Sequence, residues 1–510
     1  MVTETETKYE ATEGAELPRL DRLPGVRGIS GPDSEQLEAE YYDTADLRLL
    51  RSGITLRRRK GGHDAGWHLK LPAGADSREE IRRPLGRAGR VPAELANLVR
   101  ARTRGAELTP VATITTSRQT TTLLDGNGEP LAEVADDRVQ GIPAAGAASP
   151  VRWREVEVEL TGADRDFLTA ADKLLRDAGL RRSDRSAKLE RVLADRMPRP
   201  PEAPDGPETP GALAAHPVAA EVVTRYLREQ ADTLIGLDPM ARRSEPDAVH
   251  KMRVATRRLR SAMRAFDMVI PEPDSAPVAG ELKWLGTVLG DERDAEVQAD
   301  RLREHLRATD AEVLLGPVQA RIQAYIAKSA GTSHAAVTAA LNSERYAALL
   351  DGLDALIAGQ KTGPDADRRA AAVLPRAVRR SYRRTRRRMR AALRKPPGHA
   401  RDTALHEARK AAKRARYAGE AALPVSGRPA VRFARQMKKI HSLLGQRQDT
   451  VVGRQVTRRL GVAAHHAGES AFTYGLFYGR DAAAAECLDA RARKSWRRAS
   501  RAGAKLLQAM

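Results

Sequence analysis

Glu4, Glu6 and Lys8 stand at every second position near the start of the chain, and Glu155, Glu157 and Glu159 repeat that spacing further on. In a β-strand alternate side chains share a face, so each run presents a charged ladder, with Val156, Val158 and Leu160 on the reverse side of the second. Arg57 with Arg59, and His68 with Lys70, continue the pattern in cations. Converging carboxylates stay ionised only beside a positive charge, and oxygen-rich clusters suit Mg2+ or Mn2+. Guanidinium and ammonium groups suit phosphoryl oxygens. Taken singly, each ladder reads more simply as a solvated face over an apolar core. Taken together, they describe the lumen of a closed barrel that is apolar outside, a site for an elongated phosphate chain with a divalent metal.

A second set of residues is spaced for a helix. His250, Arg253, Arg257 and Arg260 fall at i, i+3, i+7 and i+10, as do His406, Arg409, Lys413 and Arg416, so each set lines one helical face. The two sets are offset by 156 residues, and Gly290 with Asp294 recurs as Gly445 with Asp449 at an offset of 155. Two features that keep register in this way indicate a duplicated helical unit. Arg258 and Arg414 join the stripes or pack beneath them, while Asp294 and Asp449 are placed to orient a stripe arginine. A third basic run, residues 376–390, holds nine arginines and no acid. Like charges at this spacing repel unless an anion lies along them. A solvated face is the ordinary explanation of one such helix and a poor one for a duplicated stripe. Nucleic acid and inorganic polyphosphate compete as the anion, since both bind by charge. Aromatic residues make up 4% of the chain, and the stripes carry no stacking platform before Tyr382 and Tyr417, which favours a chain made only of phosphates.

The elements that must position these residues divide in two. Residues 1–200 contain 33 Lys and Arg against 33 Asp and Glu; of the chain's 88 and 67, this leaves 55 against 34 beyond, a net charge of +21. Short β-branched or alternating runs broken by Gly, Pro and Asp, as at residues 54–59, 67–71, 111–124 and 151–160, make the neutral part strand-rich. The cationic part shows helical periodicity with almost no strand signal. Six prolines within residues 198–210 mark the linker. At 510 residues the chain is too long for one core. A lone Cys487 excludes a disulfide framework, the first residues lack the pattern of a signal peptide, and no apolar run is long enough to span a bilayer. The expectation is a cytoplasmic protein with no membrane association.

The first part resembles the CYTH domains, the triphosphate tunnel metalloenzymes, over about 195 residues. Glu4-x-Glu6-x-Lys8 is similar to the family's ExExK signature. Tyr41-Tyr42-Asp43-Thr44 with Leu56-Arg57-Arg58-Arg59, Trp67-His68-Leu69-Lys70, Arg78 and Glu80, Arg118, Leu131–Asp137 and Trp153–Glu159 resemble its later strands. Ser186-Ala187-Lys188 resembles its terminal Ser-Lys element, with Ala187 intervening. The resemblance implies an α+β fold: an eight-stranded antiparallel β-tunnel with flanking helices that cleaves triphosphate compounds with Mg2+ or Mn2+. It implies Glu4, Glu6, Asp137, Glu155, Glu157 and Glu159 as metal carboxylates. Lys8, Arg57, Arg59, Lys70, Arg118 and Lys188 would grip the phosphoryl groups, and with Glu4 and Glu6 they form the catalytic set.

The second part resembles the CHAD domain, on HxxRxxxRRxR from His250 to Arg260 and HxxRKxxKRxRY from His406 to Tyr417, each followed by LGxxxD. The resemblance implies an all-α duplicated helical bundle that binds inorganic polyphosphate through His250, Arg253, Arg257, Arg258, Arg260, His406, Arg409, Lys413, Arg414 and Arg416. The expected layout is a tunnel domain over residues 1–196, a linker over 197–211 and a helical domain over 212–508, in units of about 212–360 and 361–508. The expected activity is hydrolysis of tripolyphosphate by a polyphosphate-bound enzyme, consistent with association with polyphosphate granules. The alternatives are a non-enzymatic polyphosphate binder, an adenylate cyclase, a thiamine triphosphatase or a nucleic-acid-binding protein. The oligomeric state is not legible.

Overall fold

A computed structural model describes residues 2–508 apart from 75–76, 87–88, 145–148, 186, 198–213, 215 and 360–362. Ser186 and the proline-rich stretch at 198–210 therefore lie outside the described residues. The chain divides into two compact units, Met1–Gly206 and Pro207–Met510.

In the first unit the long strands are β1 (Val2–Ala11), β2 (Gly28–Asp43), β3 (Thr55–Lys60), β4 (Gly66–Pro72), β5 (Ser77–Arg83), β6 (Thr109–Leu124), β7 (Pro130–Pro143) and β8 (Val151–Leu160). They run antiparallel in the order β5-β4-β3-β2-β6-β7-β8-β1, and β1 pairs back onto β5 to close an eight-stranded barrel. Closure removes the sheet edges, and side-chain alternation then gives every strand one face inside and one outside. Here the usual arrangement is inverted. Tyr9, Leu123, Val134, Val156 and Val158 point outward and form a core with α1 (Arg165–Asp177), which presents Phe167, Leu168, Ala171 and Leu175. Asp164 caps α1 by accepting from the backbone N–H of Asp166 at 3.0 Å. Leu56, Trp67, Leu69 and Ile81 face outward around the next part of the barrel and pack on Leu95 and Leu98. The charged residues at the intervening positions therefore face the lumen.

One end of the lumen is stoppered. The short helix α2 (Lys188–Val192) seats Leu189 and Val192 among Ala39, Tyr41, Ile114 and Val139. Gly141 permits this approach: a Cβ there would collide with the Val192 side chain.

The second unit is helical: α3 (Ala219–Gly236), α4 (Ala248–Ala265), α5 (Glu272–Arg307), α6 (Val318–Asn342), α7 (Glu344–Ala358), α8 (Ala370–Arg394), α9 (His399–Ala421), α10 (Leu423–His466, broken at Gly427) and α11 (Phe472–Gln508). In its first half α4 packs between α3 and α5, and in its second α9 packs between α8 and α10. Across the two halves α4 packs on α9. The two basic stripes lie on that pair of helices. No helix among the described residues is long and apolar enough to cross a membrane.

Candidate active site and anion-binding helices

The barrel lumen is a cavity of about 390 Å³ lined by Glu4, Glu6, Lys8, Arg57, Arg59, Lys70, Arg118, Glu157, Glu159 and Lys188, together with Tyr41, Arg78, Glu80 and Arg82. Strand register sets which of these meet. Glu6 lies opposite Glu159 and Lys8 opposite Glu157 across β1 and β8; Arg118 lies opposite Asp137 across β6 and β7.

Near the stoppered end, Asp137, Glu155 and Glu157 bring carboxylate oxygens within 4.8 Å of one another, a buried cluster that could hold a metal ion. A cation already serves it. Lys188 Nζ lies 2.9 Å from Asp137, 2.6 Å from Glu155 and 2.8 Å from Glu157. Arg118 donates to Asp137 at 2.6 and 2.7 Å and to Glu157 at 2.7 Å, and Lys8 also pairs with Glu157. Burial alone would raise these carboxyl groups, but Lys188 and Arg118 hold Asp137 below the usual range, and with Lys8 they hold Glu157 well below it.

Further along the lumen the balance reverses. Lys70 bonds Glu4 and lies 3.9 Å from Glu80, so two carboxylates share one ammonium. Burial, with Glu80 nearby, raises the Glu4 pKa. Glu6 pairs with Lys8 at 3.1 Å and stays low in spite of burial. Glu159 has no cation within ion-pair distance among the described residues, and burial with the charges of Glu4 and Glu6 pushes it up to about 7. The six carboxylates expected to act as one metal set are thus split into a neutralised trio and a trio, Glu4, Glu6 and Glu159, that is short of positive charge.

The cations are divided in the same way. Among the described residues Arg57 donates only to the Tyr41 hydroxyl, at 3.3 Å, and its buried Nε has no partner. Arg59 pairs with Asp64, yet burial beside Arg57 and Arg118 lowers it to about 9. The lumen therefore holds spare positive charge at Arg57 and spare negative charge at Glu159.

On the helices, Arg253 donates to Asp294 at 2.9 Å, and Arg409 is drawn to Asp449. Glycine makes room for both guanidinium groups. A Cβ at Gly290 would stand 3.1 Å from Arg253 Nη2, and one at Gly445 would stand 3.5 Å from Arg409. Arg257 and Lys413 have no carboxylate within ion-pair distance among the described residues. Burial and the charges of Arg257, Arg409, Arg253 and Arg260 lower Lys413 to about 6. The Nδ1 atoms of His250 and His406 and the Nε atoms of Arg257, Arg260 and Arg409 are buried without partners. Arg258 and Arg416 differ from the rest: both donate to Glu420, at 3.2 and 2.7 Å, and both lie over the Tyr417 ring. Arg414 faces Arg384 and Arg264 instead.

Several functional neighbours lie outside the sequence-based site. Arg82 shares the charges of Glu4, Glu80 and Asp64, and His68 bridges Glu80 at 2.8 Å and the Asp64 carbonyl at 2.9 Å. The alternation of Arg78, Glu80 and Arg82 on β5 carried a signal for them. Asp64, on the turn after β3, carried none. His441, on α10, is lowered to about 2 by burial and by Arg409 and Lys413.

Comparison with known proteins places these two arrangements in context. The CYTH domain family matches residues 3–193 and the CHAD domain family matches residues 225–458. An uncharacterized protein of Mycobacterium tuberculosis (strain H37Rv), and its counterpart in strain CDC 1551, are each 38% identical over 502 residues, covering 95% of this chain and 93% of the relative. Among solved structures, PptA from Streptomyces chartreusis aligns with 55% of this chain and 99% of its own at 18% identity and a TM-score of 0.47. The CHAD domain from the plant Ricinus communis aligns with 56% of this chain and 93% of its own at 27% identity and a TM-score of 0.45.

Proposed function

This chain belongs to the CYTH and CHAD domain families, and on that footing we propose that its tunnel hydrolyses inorganic triphosphate with Mg2+ or Mn2+ while its helical unit binds inorganic polyphosphate. One observation carries the first half. An enclosed lumen holds a cation without a carboxylate, Arg57, and a carboxylate without a cation, Glu159. A phosphate chain with its metal supplies what each of them lacks.

Glu4, Glu6 and Glu159 are the residues that would hold the metal. Asp137, Glu155 and Glu157 lie closer together, but Lys188 and Arg118 already meet their charge. When bound, the metal neutralises phosphoryl oxygens and lowers the pKa of a water. Arg57 is free to donate to the equatorial oxygens of a phosphoryl group, with Arg59 (held by Asp64), Arg118 and Lys70 flanking it, and phosphoryl transfer demands little beyond such positioning and charge. The stopper helix closes one end of the lumen, so Lys188 fixes the far limit of the chain and keeps bulk water out there.

The second half rests on Arg257 and Lys413, which lie among other cations with no carboxylate in ion-pair distance among the described residues, Arg257 having only the Tyr417 hydroxyl beside it. A phosphate chain along α4 and α9 relieves that repulsion and leaves no base to be stacked, which the helices are not equipped to do.

The test is phosphate release from tripolyphosphate, long-chain polyphosphate, ATP and thiamine triphosphate, each with Mg2+ or Mn2+. The expected result is metal-dependent release from tripolyphosphate that Glu4→Ala/Glu6→Ala abolishes. Turnover that survives the double change, or none on any substrate, would overturn the enzymatic reading. Titration with long-chain polyphosphate, compared with Arg253→Gln/Arg409→Gln, tests the binding reading separately.

A further inference from the structure

Beside the paired stripes lies a second cavity of about 550 Å³, set among α4, α5, α8 and α9. Arg260 and Arg414 form its half-buried floor, and Arg264, Lys283 and Arg384 stand exposed around it. None of the five is within ion-pair distance of a carboxylate among the described residues, and the Arg260 Nε is buried with no partner at all. A sixth cation, Arg380, is already held by Asp267 and the Ala265 carbonyl. Three of the five free cations, Arg264, Lys283 and Arg384, fall outside the repeated sequence motif.

The duplication supplies an internal control. At the offset of 156, Arg260 corresponds to Arg416, Arg414 to Arg258, and Arg264 to Glu420. The cavity's floor pair therefore has a twin in Arg416 and Arg258, with the two halves of the unit exchanged. In the twin, Glu420 accepts from Arg416 through Oε1 at 2.7 Å and from Arg258 through Oε2 at 3.2 Å. Its carboxylate sits where an anion would, one oxygen on each guanidinium. In the cavity the same position is Arg264, so no carboxylate stands between the two guanidinium groups, and the lining's two acids, Asp267 and Glu272, leave its six cations in excess. Such a cluster persists at a cost that an anion removes.

We propose that this cavity is a second phosphate site, occupied by phosphoryl groups that bridge Arg260 and Arg414 as Glu420 bridges their twins. The proposal rests on the polyphosphate reading above and extends it. Arg253, Arg257, Arg260 and Arg264 continue along one helix for about 16 Å at 1.5 Å per residue, farther than a tripolyphosphate reaches. A long chain can follow all four residues from the central stripe into the cavity, whereas a tripolyphosphate covers only part of the row. The cavity thus makes affinity depend on chain length, and a separate short phosphate could fill it by itself.

The experiment titrates the full chain with long-chain polyphosphate, tripolyphosphate and inorganic phosphate at several salt concentrations. Arg264→Glu reproduces the closed twin, and Arg384→Gln removes one exposed cation without creating a carboxylate. Each is expected to weaken long-chain binding about tenfold, in line with the removal of one charged hydrogen bond. Each should also flatten the salt dependence by about 0.7 in logarithmic slope for every phosphate group that is no longer neutralised. Arg264→Glu should keep the wild-type melting temperature or exceed it, because it relieves repulsion. Wild-type affinity in both variants would overturn the proposal, whereas Arg253→Gln/Arg409→Gln reports on the polyphosphate reading independently. Loss of tripolyphosphate or phosphate binding in proportion to long-chain binding would overturn the chain-length argument and leave an isolated phosphate pocket.

Discussion

Removing a positive charge from the centre of the basic stripes should make the free protein more stable and the bound one less so. Lys413 faces Arg257, Arg409, Arg253 and Arg260, and burial with these charges lowers it from 10.5 to about 6. Between those two values the unfolded chain holds a proton that the folded chain does not, so stability rises with pH across the window. At pH 7.5 releasing that proton costs roughly 4 kcal/mol at 1.36 kcal/mol per pH unit. Lys413 is half-buried, and solvent screening reduces the effect to about 2 kcal/mol. Lys413→Met keeps the length and apolar stem of the side chain and avoids this cost. In phosphate-free buffer of low ionic strength it should raise the melting temperature at pH 7.5 by about 4–8 °C. By pH 9.5 the gain should shrink to under about 1 kcal/mol, since the wild-type lysine then gives up its proton readily even when unfolded. With long-chain polyphosphate present the order should invert: the wild type gains more from the ligand, and the variant binds about tenfold more weakly. Thermal unfolding at the two pH values, with and without polyphosphate, reads all of this. A variant that melts at or below the wild type in the absence of ligand would refute the reasoning, because the stripe would then hold no stored repulsion.

Three further outcomes follow from the same structure. Lys188→Met leaves Asp137, Glu155 and Glu157 with Arg118, Lys8 and the Trp153 indole N–H in support; it should cost about 3–5 kcal/mol in chemical denaturation, and Mn2+ should recover part of it by taking the ammonium's place. Gly141→Ala should destabilise the tunnel unit by about 1–3 kcal/mol by driving a methyl group into Val192, and Gly141→Ala/Val192→Ala should restore much of that in a double-mutant cycle. Gly290→Ala should displace Arg253 from Asp294 and weaken polyphosphate binding about two- to fivefold, on the scale of one surface hydrogen bond. Gly445→Ala, with 3.5 Å available to Arg409, should leave binding unchanged.

The lumen was legible because strand alternation is strict. Once Glu155, Glu157 and Glu159 share a face with valines behind them, a closed barrel has two assignments to choose between, and the opposite signs on β1, β3 and β4 select the charged interior. The division of the carboxylates was not legible. It depends on register, which sets Glu6 against Glu159 and Lys8 against Glu157, and on the stopper helix, which carries Lys188 from the far end of the unit into contact with Asp137. Neither is a local property of sequence. The helical stripes were legible from the duplication, but the different status of Arg258 and Arg416 was not. The i, i+4 spacing of Arg416 and Glu420 hints at one pair, while the bond between Glu420 and Arg258 exists only because α4 packs on α9. Asp64 and His441 escaped for a related reason, since each enters its cluster through tertiary packing.

The two units manage charge in opposite ways, and this separates their responses to salt. In the tunnel, Lys8, Lys70, Arg118 and Lys188 are each already bonded to a carboxylate. A triphosphate entering there exchanges one set of partners for another, and net charge changes little when the metal arrives with it. On α4 and α9, Arg257 and Lys413 have no carboxylates among the described residues to give up, so a phosphate chain chiefly displaces mobile counter-ions from them. Binding driven by counter-ion release falls steeply with salt, with a logarithmic slope of about 0.7 for each phosphate neutralised; exchange between buried partners is screened far less. The Michaelis constant for tripolyphosphate should therefore vary weakly between about 50 and 200 mM salt, a range over which proteins that neutralise several phosphates weaken by about 10³–10⁵ in affinity, and long-chain polyphosphate binding should show that larger drop. Parallel dependence of the two quantities would mean that turnover is limited by capture on the helices rather than by exchange within the tunnel.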